Sequence, residues 1–362
     1  MIRNVVFVVD NLSLPRCIKR IKAFYDKGLT VKVYGYNREE KLDNQLPPEI
    51  KPIMMGGLKD GRKYVSRAFK IRRDIRKIIK ENKSDNSVFY SFGFVSSLFF
   101  SFSRVPFVYE IYDIRYGSYR RFSSFIGLFK VIDRFIIKKS MATVMTSGGF
   151  KSFIKTEKKE IFLIPNKITK ALANYERHEI DNSKGNIRFG FAGSVRYQST
   201  LKFAKVIGEY FPEYSFSIWG SMASHRIATE LEIITEQYSN VTYYGPFRNP
   251  DDLPDIYSKL DAMVSSYDVN TLNERIAEPN KLYESLFFCR PIIVSNNTFL
   301  SEQVERYHCG FSIDATTEES IIKFVDNIKL KEIKDCSKAE YEIPVSELID
   351  ETDKIIDYIR NL

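Results

Sequence analysis

Short apolar runs alternate with amphipathic patterns from one end of the chain to the other. Residues 5–9 are almost purely apolar, and the segment after them carries Ile18, Ile21 and Phe24 at helical spacing before Gly28. The apolar run predicts a buried strand, and the spaced residues predict a helix that the glycine ends. The same unit recurs, which predicts a doubly wound parallel sheet. The further strands predicted in this half are residues 29–34, 88–91, 107–111, 142–146 and 161–164.

A second series of the same kind starts after a polar stretch at residues 171–186, which we interpret as a linker. We therefore predict an N-terminal domain at 1–170, a C-terminal domain at 187–343, and a final helix within 344–362 that packs back toward the N-terminal domain. We expect the two Rossmann-like units to face a central cleft, because ligands of open α/β sheets bind at the carboxyl ends of the strands. The strands predicted in the second series are residues 187–192, 214–219, 240–244, 262–266 and 291–295.

Composition is typical of a globular cytoplasmic protein. The chain has 362 residues, of which 44% are hydrophobic and 28% are charged. No apolar run approaches the roughly 18 residues that span a bilayer, and the N-terminus lacks the features of a signal peptide. Four cysteines without Cys-x-x-Cys spacing and three scattered histidines give little support to disulfides or a zinc site. We expect a cytoplasmic protein with reduced thiols and no zinc site.

Charge is distributed unevenly along the chain. Residues 1–170 hold 35 Lys and Arg against 15 Asp and Glu, a net charge of +20, whereas the remainder holds 20 against 31, a net charge of −11. Two basic segments, 62–83 and 115–139, interleave Lys and Arg with aromatic and aliphatic residues. This pattern favours helices that lie on an anionic membrane surface. The alternative is that both helices pack on the core and solvate their charges. We expect no nucleic-acid partner, because no recognised nucleic-acid module appears.

The sharpest local signal is Glu-Pro-Asn-Lys-Leu-Tyr-Glu at residues 278–284. Pro279 is placed to begin a helix, where its missing N–H costs nothing. The free N–H groups of that first turn, together with Lys281, suit a diphosphate. Glu284 follows one turn later and can accept hydrogen bonds from ribose hydroxyls. The alternative is an ordinary capped helix with a Lys–Glu pair at i, i+3.

A second signal follows the first predicted strand of the C-terminal domain. Gly193 ends that strand where backbone can approach a ligand closely, and Arg196 can reach into the cleft. A single glycine after a strand is a weak signal, and a tight turn explains it equally well.

Several short segments that match one known family, in the same order along the chain, strengthen these two signals. The run from 190 to 314 resembles the nucleotide-sugar domain of GT-B glycosyltransferases. It is most similar to the large retaining group, the family 4-like or group 1 glycosyl transferases, that builds capsule, O-antigen of lipopolysaccharide, and exopolysaccharide. The matching pieces are residues 193–196, 217–220, 240–247, 253–261, 279–284 and 308–311.

The resemblance implies roles for individual residues. Glu284 matches the second acid of the family's Glu-x7-Glu motif, which contacts the donor ribose. Arg196 matches the basic residue that faces the donor phosphates, and Lys281 would steady the leaving diphosphate. Pro246 and Phe247 match the nucleobase position. The other residues assigned to the donor are Gly193, Ser194, Glu278, Pro279, Asn280 and Leu282.

The chain departs from the family at one position. The first acid of Glu-x7-Glu falls on Ile276. Either Glu278 or Asp268 substitutes for it, or the role is lost.

The N-terminal domain matches the family more loosely. Tyr112 stands where the family segment often has a histidine against the sugar, with Glu110 just before it. Asp113 is the acid expected to line the acceptor pocket, although it can equally cap the loop. Arg16 is a further candidate to assist the diphosphate.

The resemblance implies a metal-independent hexosyltransferase that retains the anomeric configuration and needs no cofactor. Its donor would be a UDP- or GDP-linked sugar, and its acceptor a lipid-linked or polysaccharide glycan at the inner face of the cell membrane. Two alternatives remain open at this point. One is a non-catalytic GT-B scaffold that binds nucleotide, membrane or a partner subunit, and the other is a nucleotide-sugar epimerase.

Overall fold

The computed structural model describes residues 2–12, 14–37, 46–57, 64–84, 86–118, 124–158, 160–183 and 185–362. Parts of both basic segments, residues 62–63 and 119–123, lie outside these ranges. The chain forms two compact units. The first is Met1–Pro165 with Glu351–Leu362, and the second is Asn166–Asp350.

The first unit is built on a seven-stranded parallel sheet with the order β3-β2-β1-β4-β5-β6-β7. Its strands are β1 (Asn4–Val9), β2 (Thr30–Asn37), β3 (Ile53–Gly57), β4 (Ser87–Phe92), β5 (Phe107–Ile111), β6 (Ala142–Met145) and β7 (Ile161–Leu163). Its helices are α1 (Pro15–Asp26), α2 (Tyr64–Asn82), α3 (Phe94–Ser101), α4 (Ile126–Lys139), α5 (Gly148–Ile154) and the C-terminal α15 (Asp353–Arg360). The central strands are continuous apolar runs because both faces of such a sheet are covered.

The second unit has a six-stranded parallel sheet with the order β10-β9-β8-β11-β12-β13. Its strands are β8 (Arg188–Ala192), β9 (Ser215–Trp219), β10 (Val241–Gly245), β11 (Ala262–Ser265), β12 (Ile292–Ser295) and β13 (Gly310–Ile313). Its helices are α6 (Gln198–Tyr210), α7 (His225–Gln237), α8 (Leu253–Ser258), α9 (Leu272–Ile276), α10 (Asn280–Phe288), α11 (Phe299–Tyr307), α12 (Glu318–Asn327), α13 (Leu330–Glu342) and α14 (Val345–Leu348). Each unit is therefore a doubly wound Rossmann-like sheet.

Residues 171–186, which the sequence suggests as a linker, lie within the second unit. Ile180 is 7% exposed in its core, and the Asn182 amide donates to Asp261 at 2.8 Å. The final segment is divided between the units, since α14 lies in the second and α15 in the first. Ile355, Ile356 and Ile359 of α15 are fully buried against the core of the first sheet.

Buried polar groups tie the interior of the first unit together. Arg20 of α1 donates from Nε to the Glu110 carboxylate at 3.0 Å, and both side chains are almost fully buried. The guanidinium also contacts Thr352, just before α15, at 2.5 Å. A second network joins the Asp133 carboxylate to the hydroxyls of Tyr109 and Tyr116, at 2.6 and 2.5 Å. These networks link helices to the sheet where apolar packing alone gives no directional contact.

Within the described residues, no helix combines the length and the apolar composition needed to cross a membrane.

The pKa of Asp133 predicts a pH-dependent stability. Burial raises this pKa from 3.8 to about 6, although the two tyrosine hydrogen bonds oppose the rise. The native state therefore holds the proton more tightly than the unfolded chain, so this contribution is complete below about pH 4 and is lost as the pH rises through 6. We expect the unfolding free energy of the wild type, relative to Asp133→Asn, to fall by about 3 kcal/mol between pH 3.5 and 7.

Urea unfolding followed by circular dichroism at several pH values measures this difference. The exposed Asp335 provides the control variant, Asp335→Asn. A difference between wild type and Asp133→Asn that stays constant with pH would contradict the prediction.

Candidate functional site

Three neighbouring strands of the second unit end in glycines with positive φ. Gly193 follows β8 at 151°, Gly220 follows β9 at 139°, and Gly245 ends β10 at 86°. The Gly193 N–H donates to the Trp219 carbonyl, and the Gly220 N–H donates to the Gly245 carbonyl, each at 2.8 Å. A Cβ on Gly220 would lie only 1.7 Å from the Gly193 oxygen. Only glycine fits this closely packed backbone at the carboxyl edge of the sheet.

Lys281 lies over the first of these glycines. Its Nζ is 2.5 Å from the place that a Cβ on Gly193 would occupy, and 4.9 Å from the centre of the Phe191 ring. The structure therefore brings together two residues that the sequence singled out in separate segments. Any side chain at position 193 would displace this ammonium group.

The helix that carries Lys281 begins beside it. α10 starts at Asn280, Pro279 is its N-cap, and no side chain caps it. Leu282 anchors the first turn because its side chain is fully buried. The first turn of a helix presents N–H groups that carry partial positive charge. Lys281 and these N–H groups together form a site with positive potential at the edge of the sheet.

Glu284 is buried beneath this turn, with 5% of its surface exposed. Its Oε1 accepts from the amides of Asn249 and Asn280 at 3.2 and 3.1 Å, and its Oε2 accepts from the Tyr257 hydroxyl at 3.2 Å. Burial, followed by the charge of Glu284, raises the pKa of Tyr257 well above its usual range, so its hydroxyl remains a donor. Sequence reasoning missed Asn249 and Tyr257, because nothing in their local pattern connects them to a residue so far along the chain.

The two acids considered as substitutes at the Ile276 position both have structural partners. Asp268 accepts from the backbone N–H groups of Gln198 and Ser199 at 3.1 and 2.8 Å. These are the first two residues of α6, whose own N-cap residue provides no side-chain hydrogen bond. Glu278 is 6% exposed and accepts from the Tyr283 hydroxyl at 2.5 Å. Asp268 therefore caps a helix from another segment of the chain.

Arg196 and Ser194 are exposed in the loop between β8 and α6. The Arg196 guanidinium lies over the Tyr197 ring at 5.0 Å, and that ring lies 4.5 Å from the ring of Tyr267. The arginine is thus held against an aromatic pair in the same loop that contains Gly193.

The nucleobase candidates follow β10. Pro246 is exposed, and Phe247 packs against the apolar cluster that contains Trp219 and Leu282. Sequence reasoning missed Tyr244, whose ring stacks on Trp219 with centroids 4.8 Å apart and planes 7° apart. Tyr244 is 53% exposed, so one face of this aromatic pair is open to solvent.

At the carboxyl edge of the first unit, Tyr112 lies between two arginines. Arg16 donates to the Tyr112 carbonyl at 2.9 Å, and its guanidinium is 5.2 Å from the Tyr112 ring. Arg115 donates to the Tyr112 hydroxyl at 3.0 Å. Tyr112 is only 3% exposed, whereas Asp113 is half-buried.

Glu110 has a different place from the one the sequence suggests. Its side chain is fully buried and is paired with Arg20 inside the unit. It supports the interior beneath Tyr112 and does not line a surface. Among candidate metal ligands, no group of three or more His, Cys, Asp or Glu side chains comes together in the described residues.

No protein-family model and no curated protein matches the sequence. Solved structures match over almost the whole chain. Anabaena HepE in complex with UDP and glucose has a TM-score of 0.68 at 11% identity, covering 99% of this chain and 100% of its own. Sucrose-phosphate synthase of Thermosynechococcus elongatus has a TM-score of 0.74 at 10% identity, covering 99% of this chain and 98% of its own. A putative UDP-N-acetylglucosamine 2-epimerase of Listeria monocytogenes has a TM-score of 0.66 at 12% identity, covering 93% of this chain and 91% of its own.

At such low identities these similarities show the fold alone. The chain has the GT-B fold, which consists of two Rossmann-like domains. The fold class predicted from the sequence is confirmed.

The cap from Asp268 predicts a stability effect. Asp268→Ala leaves the first amides of α6 without their acceptor, and we expect it to lower the unfolding free energy of the second unit by about 1–2 kcal/mol. Asp268→Asn keeps one acceptor oxygen and should cost less. Chemical denaturation measures both effects, with the exposed Asp326→Ala as control. If Asp268→Ala and the control variant have equal unfolding free energies, Asp268 does not stabilise α6 as a cap.

Proposed function

We propose that this protein is a glycosyltransferase that moves a sugar from a UDP- or GDP-linked donor to a lipid-linked or polysaccharide acceptor. The observation that carries the proposal is the position of the Lys281 ammonium over Gly193, beside the first turn of α10. Breaking the bond between the sugar and the diphosphate leaves negative charge on the departing nucleoside diphosphate. A fixed cation and oriented N–H groups stabilise this charge in the transition state.

The remaining donor contacts follow from the same geometry. Arg196 lies in the loop of Gly193 and supplies a second positive charge for the phosphates. Glu284, held rigidly by three hydrogen bonds, accepts from the ribose. The nucleobase lies against Pro246 and Phe247. Two cations and the helix terminus take the role that a divalent metal has in other transferases, so transfer proceeds without metal. Retention of the anomeric configuration is proposed on the resemblance to the retaining group of GT-B glycosyltransferases.

The solved structures support the choice of donor. HepE, which shares the fold, was solved with UDP and with UDP-glucose.

The first unit supplies the acceptor side of the proposal. Asp113 is the candidate to orient the acceptor hydroxyl, with Arg16 and Tyr112 at the same edge. α4 enters from this edge because it connects the carboxyl end of β5 to the amino end of β6. The first half of α4 and the residue before it expose an apolar ridge, in which Phe125, Leu128 and Val131 are 55%, 58% and 58% exposed.

Exposed basic residues, Arg134 and Lys138, follow this ridge on α4. Apolar and basic side chains on one exposed helix suit the surface of an anionic bilayer. We infer that the enzyme works at the cytoplasmic face of the cell membrane on a surface-glycan precursor, of the kind used for capsule or lipopolysaccharide.

Donor turnover tests the proposal. The purified chain, with extracted lipid-linked acceptors and a panel of UDP and GDP sugars, is expected to release nucleoside diphosphate and to label the acceptor. Lys281→Ala should lower kcat/KM about 100-fold or more because it removes charge at the leaving group. Lys323→Ala removes an exposed lysine of α12 and should leave turnover unchanged.

Excess EDTA should not change the rate of the wild type. Equal turnover of Lys281→Ala and Lys323→Ala would show that the site is misplaced.

An epimerase is the second candidate, because the Listeria structure with the same fold is a putative UDP-N-acetylglucosamine 2-epimerase. Product analysis separates the two activities: an epimerase isomerises the sugar without an acceptor and leaves it on the nucleotide. Nucleotide binding without either product would favour a non-catalytic scaffold.

The apolar ridge on α4 predicts reduced membrane binding on substitution. Leu128→Ser removes an exposed apolar side chain from the proposed membrane face, and we expect it to weaken binding to vesicles of phosphatidylglycerol about 5-fold. Ile233 on α7 of the second unit is 56% exposed, so Ile233→Ser is a matched control that should bind like the wild type. Vesicle co-sedimentation measures both, and equal binding by the two variants argues against the ridge.

A further inference from the structure

α2 and α3 enclose a pocket on the first unit that the proposed sugar transfer does not use. Its volume is about 370 Å³, which is within the range of small-ligand sites. Most of the wall is aliphatic or aromatic, and the rest consists of two arginines and a serine. The wall is formed by Arg72, Ile75, Arg76, Ile79, Phe99, Phe102 and Ser103.

The two arginines differ from three other cations of α2. Lys70, Arg73 and Lys77 each pair with an acid on the same helix, at 2.8, 3.8 and 3.8 Å. Within the described residues, neither Arg72 nor Arg76 has an acidic partner. They lie one turn apart, so two guanidinium groups at the pocket can bind one phosphate together.

Exposed aromatic side chains accompany the pocket. Phe102 is 70% exposed, and Phe69, one turn before Arg72 and Arg73, is 63% exposed. The Phe102 ring lies 5.7 Å from the ring of Phe135 on α4. The pocket is thus adjacent to the helix that carries the proposed membrane ridge, since α3 packs between α2 and α4.

The pocket lies away from the candidate acceptor residues. α3 starts after the carboxyl end of β4 and ends just before β5 begins at Phe107, which places Phe102 at the amino edge of the sheet. Tyr112 and Asp113 follow the carboxyl end of β5. The five residues of β5 separate the two edges by roughly 15 Å. A ligand in this pocket is therefore not the reacting end of the acceptor.

We propose that the pocket binds one anionic phospholipid of the bilayer. The lipid phosphate lies between Arg72 and Arg76, and the first part of an acyl chain packs against Ile79, Phe99 and Phe102. Planar guanidinium groups match phosphate oxygens, and each methylene of the acyl chain that leaves water for the apolar wall strengthens binding. The proposal rests on the membrane association described above and specifies it, because it replaces diffuse attraction to the surface with a stoichiometric lipid site.

Calorimetric titration of the full chain with dihexanoyl phosphatidylglycerol, below its micelle concentration, tests this. We expect saturable binding of one lipid per chain. Two controls separate the parts of the ligand: dihexanoyl phosphatidylcholine carries no net charge, and glycerophosphoglycerol has the headgroup without acyl chains. Both should bind at least about 5-fold more weakly.

Paired variants on one helix provide the matched comparison. Arg72→Gln with Arg76→Gln should weaken binding about 10-fold or more, because two phosphate contacts are lost. Arg73→Gln with Lys77→Gln removes the same charge outside the pocket and should change binding less than 2-fold. Phe102→Ala removes an exposed ring of the wall. It should weaken binding of the lipid but not binding of glycerophosphoglycerol.

Equal losses in the two charge variants would overturn the proposal in favour of diffuse electrostatic attraction. Equal affinity for the lipid and for glycerophosphoglycerol would overturn the role of the apolar wall. The titration contains no nucleotide, so failure of the donor site leaves its outcome unaffected. Thermal unfolding of each variant confirms that folding is retained.

Discussion

The close approach of backbone at Gly193, Gly220 and Gly245 is the constraint on which the candidate donor site depends. The carbonyl of Gly193 fills the space where a side chain on Gly220 would stand, and Lys281 fills the space beside Gly193. Around Gly193 and Gly220 the edge of this sheet is therefore made of peptide groups and one ammonium, and a side chain at position 220 would collide with backbone. A bulky, strongly charged ligand such as a diphosphate can approach such an edge closely, because little but backbone and Lys281 lies in its way.

In the second unit, an acid considered as a substitute at the Ile276 position has a structural role. Ile276 occupies the place of an acid that the resembled family uses, while Asp268 caps α6 from the loop after β11. The cap fixes the start of α6, and hence the loop that contains Gly193 and Arg196. One of the two acids considered for the vacant role thus stabilises the scaffold that positions the other donor residues.

Strand and helix patterns predicted the two sheets because central strands are buried on both faces and appear as continuous apolar runs. β3 and β13 were not among the predicted strands. Both lie at a sheet edge, and β3 has half-exposed or exposed residues such as Ile53, which is 40% exposed. For the site, spacing could suggest Lys281 and Glu284, but the Glu284 partners Asn249 and Tyr257 come from segments joined only by folding. Glu110 was included among the acceptor-side candidates because a single acid within a strand does not reveal the buried Arg20 opposite it.

The last twelve residues complete the first unit rather than the second. Arg20 reaches Thr352, and three isoleucines of α15 fill the core beside α1. During synthesis these residues leave the ribosome only after the whole second unit has emerged. Part of the apolar interior of the first unit therefore stays uncovered until α15 is synthesised, although the second unit already has its complete sequence. This order is the reverse of the usual one, in which the N-terminal domain completes its fold first.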